Sequence, residues 1–391
     1  MRRTPAKRRP TVRRIKPAIV SGRRPVTARP ATSGTTAPTA PGPSRTPATA
    51  RYESVPASES AATRVSGAGV DLSVDLGRGL VLENPVLVAS GTFGYGVEYG
   101  DVVDVQRLGA ICSKGTTLRP RVGNRPPRVT ETPAGMLNSI GLQNPGVDAV
   151  LEKYGDTWSG WDVPVIVNVA GESIEDYVGV VRKLEGVPGI AGIELNISCP
   201  NVGKGGLQFA VDAEAAQAVT AAVRAETELP LMVKLSPNVA DVRAIARAIE
   251  EGGADSISAI NTLSGIAVDL HARRPLLGNV YGGVSGPAIK PIALRVVYEV
   301  AQAVDIPVVG IGGIGSTEDA LEFFFVGASA VQVGTAIFAD PTVPARIVDG
   351  LARYCAEHGY GSVVELVGLA LPKGPRARPV PPSVKGVEYR P

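Results

Sequence analysis

Eight short Val/Ile-rich runs constrain what this chain can fold into more than any other feature. They read PVLVAS (85–90), AICSKGT (110–116), VPVIVNVA (163–170), GIELNIS (192–198), LMVKLS (231–236), SISAIN (256–261), IPVVGIGG (306–313) and AVQVGTA (330–336). Between them, segments 174–185, 212–227, 239–252, 289–304 and 317–326 repeat apolar residues at three- and four-residue steps, the period of an amphipathic helix. Near-continuous apolar strands alternating with helices imply a parallel sheet covered by helices. The place of the polar residues selects a closed barrel over an open sheet. The runs are mainly apolar until their last residues, where they deliver Ser90, Lys114, Asn168, Asn196, Lys234, Asn261, Gly312 and Gly334. Polar side chains at the C-terminal ends of six strands and glycines at those of the other two describe the mouth of a (β/α)8 TIM barrel.

The rest of the chain is organised around that barrel. Residues 1–68 hold 14 of the 40 Lys and Arg but 2 of the 37 Asp and Glu, with one aromatic among Pro, Ser, Thr and Ala. Such a segment buries too little apolar surface to offset its ordering entropy, so it is expected to be a disordered basic tail. A polyanion could attract it, and its Arg-rich, acid-poor make-up also fits an organelle transit peptide or a solvated extension. VDLSVDLGRGLVLENP (70–85) reads as a short hairpin turning at GRG. The expected boundaries are a catalytic barrel over 69–375 and a flexible tail over 376–391. No run of 18 apolar residues offers a membrane span, and a cytoplasmic location is expected.

Cys112, Cys199, Cys355, His271 and His358 show no metal-binding spacing, so no metal site is expected. Three thiols also fall short of the four an ordinary iron–sulfur cluster takes. GIGGIG (310–315) satisfies the dinucleotide pattern G-x-G-x-x-G, but no acid closes the following strand as that reading requires. A phosphate cradle is the better reading. Gly312 and Gly313 after the seventh run, and Gly334 and Thr335 after the eighth, offer backbone N–H groups where barrels often bind phosphate, and Gly286 in SGPA allows a further close approach.

In ELNISCPN (194–201) a lone cysteine sits between two asparagines. With ASGTFGYG (89–96), SKGTTL (113–118), ETPAGMLNSIGLQNPG (131–146), NVAG (168–171), VKLSP (233–237), INTL (260–263), SGPA, GIGG and VGTA, it resembles the dihydroorotate dehydrogenases, in order and over residues 70 to about 370. The resemblance implies oxidation of dihydroorotate to orotate in de novo pyrimidine synthesis, with FMN as cofactor. The family's soluble class 1 members use a cysteine base where membrane-associated ones use serine, and here that position is Cys199. The ETPAGMLNSIGLQNPG form looks like the NAD-linked class 1B catalytic subunit, which works in a heterotetramer built on a homodimer, with a partner carrying FAD and a [2Fe–2S] cluster.

By the same resemblance, Gly286, Gly312, Gly313, Gly334 and Thr335 hold the FMN phosphate. Ser90, Lys114, Gly115, Asn168, Asn196, Lys234 and Ile260 line its ribityl chain and ring, with the Lys234 cation stabilising charge on the reduced flavin. Asn138, Asn196, Asn201 and Asn261, with Thr262, read the substrate's edges, since an amide offers donor and acceptor together. Lys114 and the segment Asn138, Ser139, Ile140, Gly141 and Leu142 take its carboxylate. Cys112 and Cys355 read as packing residues, His271 and His358 as surface ones. Two other enzymes stay open, a fumarate-dependent class 1A form and an FMN barrel of the tRNA dihydrouridine synthase kind, for which the basic tail would be an RNA anchor. A non-enzymatic nucleic-acid binder has only the tail in its favour, and no nucleic-acid or membrane partner is expected.

Overall fold

Each apolar run of the sequence becomes a strand of one closed ring. The structure, a computed structural model, describes residues 69–198 and 209–372. Cys199, Asn201 and the segments 1–68 and 376–391 lie outside the described residues. The barrel strands are β1 (Val86–Val88), β2 (Ala110–Cys112), β3 (Val165–Val169), β4 (Ile190–Asn196), β5 (Leu231–Leu235), β6 (Ser256–Ala259), β7 (Val308–Ile311) and β8 (Ala330–Val333). Every strand pairs in parallel with the next in sequence, and β8 returns to β1, which closes the ring.

Burial on both faces explains the unbroken apolar runs: every residue of β3 and of β5 is buried. The outer face is covered by α1 (Val147–Ser159), α2 (Ile174–Leu184), α3 (Ala213–Arg224), α4 (Val242–Glu251), α5 (Lys290–Ala301), α6 (Thr317–Phe325) and α7 (Val343–His358). In α2 the stripe Tyr177, Val180, Val181 and Leu184 is buried, and each such apolar side chain contributes about 1.5–3 kcal/mol relative to exposure. The side chains of Ser173, Asp212, Asp241 and Ser316 accept from N–H groups of the first turns of α2, α3, α4 and α6, so each of these helices starts at a defined residue just past the barrel mouth.

The five expected helices coincide with α2 to α6. Helices α1 and α7 are additional to them, although Val147, Val150, Tyr154 and Trp158 of α1 recur at helical steps and are buried. Two 3-10 turns, Val97–Tyr99 and Val105–Arg107, stand between β1 and β2 in place of a helix.

The expected hairpin forms between Val74–Asp75 and Val81–Leu82. It lies at the start of β6: a Cβ on Gly77, at φ +93°, would come 2.7 Å from the Asp255 carbonyl oxygen. Arg78 ion-pairs there with Asp255 and Glu228. The opposite end of the barrel is left to the strand C-termini. Above them stands a four-stranded antiparallel sheet of Leu263–Gly265, Gly282–Ser285, Gly135–Asn138 and Val129–Thr132, in that order. It joins the β2–α1 and β6–α5 connections into one wall beside the mouth.

Candidate active site

The deepest polar layer of the barrel is organised by Glu194, near the end of β4 and fully buried. Its Oε1 accepts from Ser258 Oγ at 2.9 Å and from Gln332 Nε2 at 2.8 Å. Its Oε2 accepts from Asn168 Nδ2 at 2.6 Å and faces the Lys234 ammonium at 3.5 Å. Lys234 is therefore no solvent-seeking strand-end lysine, being 6% exposed with its charge matched inside the barrel. A buried charge needs such a partner and further hydrogen bonds to be tolerated. The Asn168 amide, with its nitrogen on Glu194, leaves Oδ1 buried without a hydrogen-bond partner.

One level higher the expected residues converge. A Cβ on Gly115 would lie 3.1 Å from Asn168 Oδ1 and 3.3 Å from Leu142 Cδ2, so the β2 end, the β3 end and the 138–142 segment meet at one point. Asn261 Nδ2 donates to Asn196 Oδ1 at 3.4 Å, and the Thr262 N–H donates to Asn261 Oδ1. Asn138 Nδ2 donates to the Gly283 carbonyl across the mouth sheet, where a Cβ on Gly283 would stand 2.0 Å from Thr262 Oγ1. These contacts gather Asn138, Asn196, Asn261 and Thr262 on the side of β4 to β6. Ile260, 2% exposed, precedes Asn261 in the same strand end.

The glycine cradle forms at β7 and β8. A Cβ on Gly313, at φ +76°, would fall 2.8 Å from Lys290 Cβ and 3.0 Å from the Gly286 carbonyl oxygen. One on Gly286 would reach within 2.6 Å of Gly135 Cα, and one on Gly312 within 2.8 Å of Ala293 Cβ. No side chain fits at any of the three. Thr335 Oγ1 donates to Ser285 Oγ at 2.8 Å, beside Gly286 in sequence. Gly334 lies against Ala89 and Thr92, which flank Ser90. Lys290 Nζ donates to Asp319 Oδ1 at 2.6 Å, while the Gly315 N–H donates to Asp319 Oδ2. That carboxylate holds the glycine loop to the start of α6.

The 139–146 loop is fastened from two sides. Asn124 Nδ2 donates to Ser139 Oγ, the Asn124 N–H donates to the Ile140 carbonyl, and Arg128 reaches Gln143. Asn144 bonds Thr117, Leu142 and Gly146. Gly141 and Leu142 both take left-handed backbone, at φ +75° and +54°, and for a leucine that conformation is strained. Lys114 stands close by, half-buried, and burial pushes its ammonium below the ordinary lysine range, with Arg128 adding to the shift and Glu98 opposing it. Tyr95, Lys114, Arg121, Gln143, Asn144 and Pro145 line an adjoining cavity of about 390 Å³.

Cys112 and Cys355 are fully buried, as expected of packing residues. His271 is exposed, but His358 is half-buried, its ring stacked 4.0 Å from that of Tyr354 and its Nδ1 2.8 Å from the Tyr354 carbonyl. Sequence reasoning does not single out Glu194, Ser258 or Gln332. The one available signal is that Glu194 shares the inward pleat of β4 with Asn196 two residues on.

A (β/α)8 barrel with a glycine-lined corner at β7 and β8, and amides and lysines at its strand ends, has the layout of a barrel enzyme whose site lies at the C-terminal ends of the strands. The family model described as Dihydroorotate dehydrogenase matches residues 74–354. Proteins named dihydroorotate dehydrogenase B (NAD(+)), catalytic subunit, are 53% identical in Geotalea uraniireducens and in Desulforamulus reducens, over 77% of this chain and 98% and 99% of theirs. One from Bacteroides thetaiotaomicron is 53% identical over 76% of this chain and 98% of its own length. A crystal structure of DHODH from Eimeria tenella, in complex with ferulenol, shares the fold with a TM-score of 0.64 at 24% identity, over 76% of this chain and 88% of that one. The chain belongs to the dihydroorotate dehydrogenase family and is a flavin-dependent oxidoreductase.

Proposed function

We propose that the chain oxidises (S)-dihydroorotate to orotate through bound FMN, as the catalytic subunit of an NAD-linked enzyme. The observation that carries the reading is the meeting of two sites at one barrel mouth. One is a corner from which Gly286, Gly312 and Gly313 exclude every side chain, fit for a phosphate. The other is the Asn138, Asn196, Asn261 and Thr262 cluster beside it. The buried, partnerless Asn168 Oδ1 at the end of β3, beside Gly115, suits an N–H on a planar ring.

In this reading Gly286, Gly312, Gly313, Gly334 and Thr335 hold the FMN phosphate. Ser90, Lys114, Gly115, Asn168, Asn196, Lys234 and Ile260 line the remainder. FMN supplies the acceptor for the hydride that leaves substrate C6. Cys199 takes the C5 proton, as a thiolate base carried on the segment after β4. Asn138, Asn196, Asn201, Asn261 and Thr262 bind the ring's amide edges, while Lys114 and residues 138–142 bind its carboxylate. The catalytic domain spans 69–375. The names of the relatives support a separate electron-transfer subunit, for which we propose FAD and [2Fe–2S] as carriers around a homodimeric core. The proposed compartment is the cytoplasm; among the described residues no helix is long and apolar enough to cross a membrane.

Anaerobic mixing tests the reading. The purified chain should be yellow and should bleach on adding dihydroorotate. Cys199→Ala and Cys199→Ser should retain the flavin but bleach at least about a hundredfold more slowly, because each lacks an effective base. A colourless chain, or mutants that bleach at the wild-type rate, would overturn it.

A further inference from the structure

We propose that Glu194 is a positioning residue, an acceptor-only carboxylate beneath the mouth that sets which way the Asn168 amide faces and how much net charge the flavin senses. The inference rests on FMN occupying the mouth. A carboxylate offers acceptors alone, so any amide bonded to it must present its NH2. Asn168 does so at 2.6 Å, which leaves its Oδ1 as an acceptor on the side of Gly115. Gln332 obeys the same rule: its Nε2 serves Glu194 Oε1 and, at 3.2 Å, Cys112 Sγ, while its Oε1 has no partner. Two buried carbonyl oxygens therefore wait for donors because one carboxylate claims both NH2 groups. A ligand N–H that meets such an atom relieves the penalty of leaving it unsatisfied.

The second half of the inference is electrostatic. Lys234 faces Glu194 at 3.5 Å, and both side chains are withdrawn from solvent. A bound ring meets a cation already paired from below, not a bare charge. Removing the carboxylate's charge should make the site more favourable to a reduced, anionic flavin.

Glu194→Gln separates this role from packing, because it keeps the volume while adding a donor. The introduced amide keeps its oxygen towards Asn168 Nδ2 and Lys234 and gives its NH2 to the Ser258 hydroxyl, so Glu194→Gln removes the charge while leaving the Asn168 amide as it is. Its flavin midpoint potential, measured by dye equilibration, should move positive. Glu194→Met, close to glutamate in volume, removes the acceptor as well, and FMN affinity of the deflavinated variant, measured by quenching of flavin fluorescence, should fall about tenfold or more. The double variant Asn168→Asp with Glu194→Gln restores a carboxylate beside the site, so the potential should return towards wild type. Wild-type potential in Glu194→Gln, or wild-type affinity in Glu194→Met, would overturn the proposal. So would a double variant whose potential is no nearer wild type than the single's, since such rescue is what a packing role does not give. A wild-type chain that binds no FMN would instead sink the parent reading, and this inference with it.

Discussion

Asn144 and Thr117 clasp each other reciprocally: the Thr117 N–H donates to Asn144 Oδ1 at 3.2 Å, and Asn144 Nδ2 donates to Thr117 Oγ1 at 2.8 Å. The same amide bonds the Leu142 carbonyl and the Gly146 N–H, with the residue 5% exposed. One side chain thus fixes the loop proposed for the substrate carboxylate to the segment that follows β2. Asn144→Ala strips partners from several buried backbone groups and should lower stability to urea by about 2–4 kcal/mol. Orotate affinity should fall with it. Asn144→Asp keeps the Oδ1 acceptor but sets a carboxylate oxygen against the Leu142 carbonyl, and should recover little. Wild-type urea midpoints in both variants would show the clasp to be dispensable.

The barrel was legible in the sequence because its signal is local. Each of the eight runs declares itself by composition, and each polar end follows directly. The mouth sheet was not legible. Its strands are as short as LSG and GGVS, and the pairing that defines it joins Asn138 to Gly283, 145 positions apart. Nothing near either residue announces that partner. Glu194 escapes notice for a related reason. In ELNIS it reads as one polar step of an alternation, and only the closed ring turns that step inward, where a charge must be matched. The crowded glycines at β7 and β8 are easier to read as a group, since a turn after a strand already restricts what can stand there.

Thiol labelling offers a direct check on Cys199. Burial raises the Cys112 thiol well above its ordinary range, with the Glu194 carboxylate adding to the rise and the Lys234 ammonium opposing it. Burial, then Glu365, pushes Cys355 up to about 11. Neither is a thiolate at mildly alkaline pH, and neither is exposed. Iodoacetamide should therefore modify the native chain at Cys199 alone, with orotate protecting it, and all three cysteines in urea. Mass spectrometry of the peptides reads the result, and native labelling of Cys112 would contradict the burial described.

Lys114 should give orotate binding and stability opposite pH dependences. Its folded pKa lies below the ordinary lysine value, chiefly through burial. The cation is present below that lowered pKa and is lost as pH rises through it, so binding of the orotate anion should weaken on the alkaline side. Between the folded and the unfolded pKa the unfolded chain holds the extra proton, so stability should rise with pH across the same window. Difference spectra of the flavin on titration with orotate, and parallel urea melts, measure the two. Lys114→Gln should flatten both contributions. If the variant keeps the wild-type alkaline loss of binding, another group is responsible.

The last prediction concerns where the electrons go after the flavin. The chain has three cysteines in all, and among the described residues no group of three or more His, Cys, Asp and Glu could hold a metal ion. An ordinary [2Fe–2S] cluster takes four protein ligands. GIGGIG does follow β7, but the strand after it leads into Gly334 and Thr335 with no acid for a nucleotide ribose. Direct transfer to NAD would bring a nicotinamide to the same flavin face on which the substrate must lie. The isolated chain with dihydroorotate should therefore reduce artificial dyes readily and NAD poorly. Adding a subunit that carries FAD and an iron–sulfur cluster should bring up the absorbance of NADH. Rapid NAD reduction by the chain alone would defeat the need for a partner. Brisk turnover with fumarate, and none with the partner and NAD, would instead place the chain with the fumarate-using enzymes of its family.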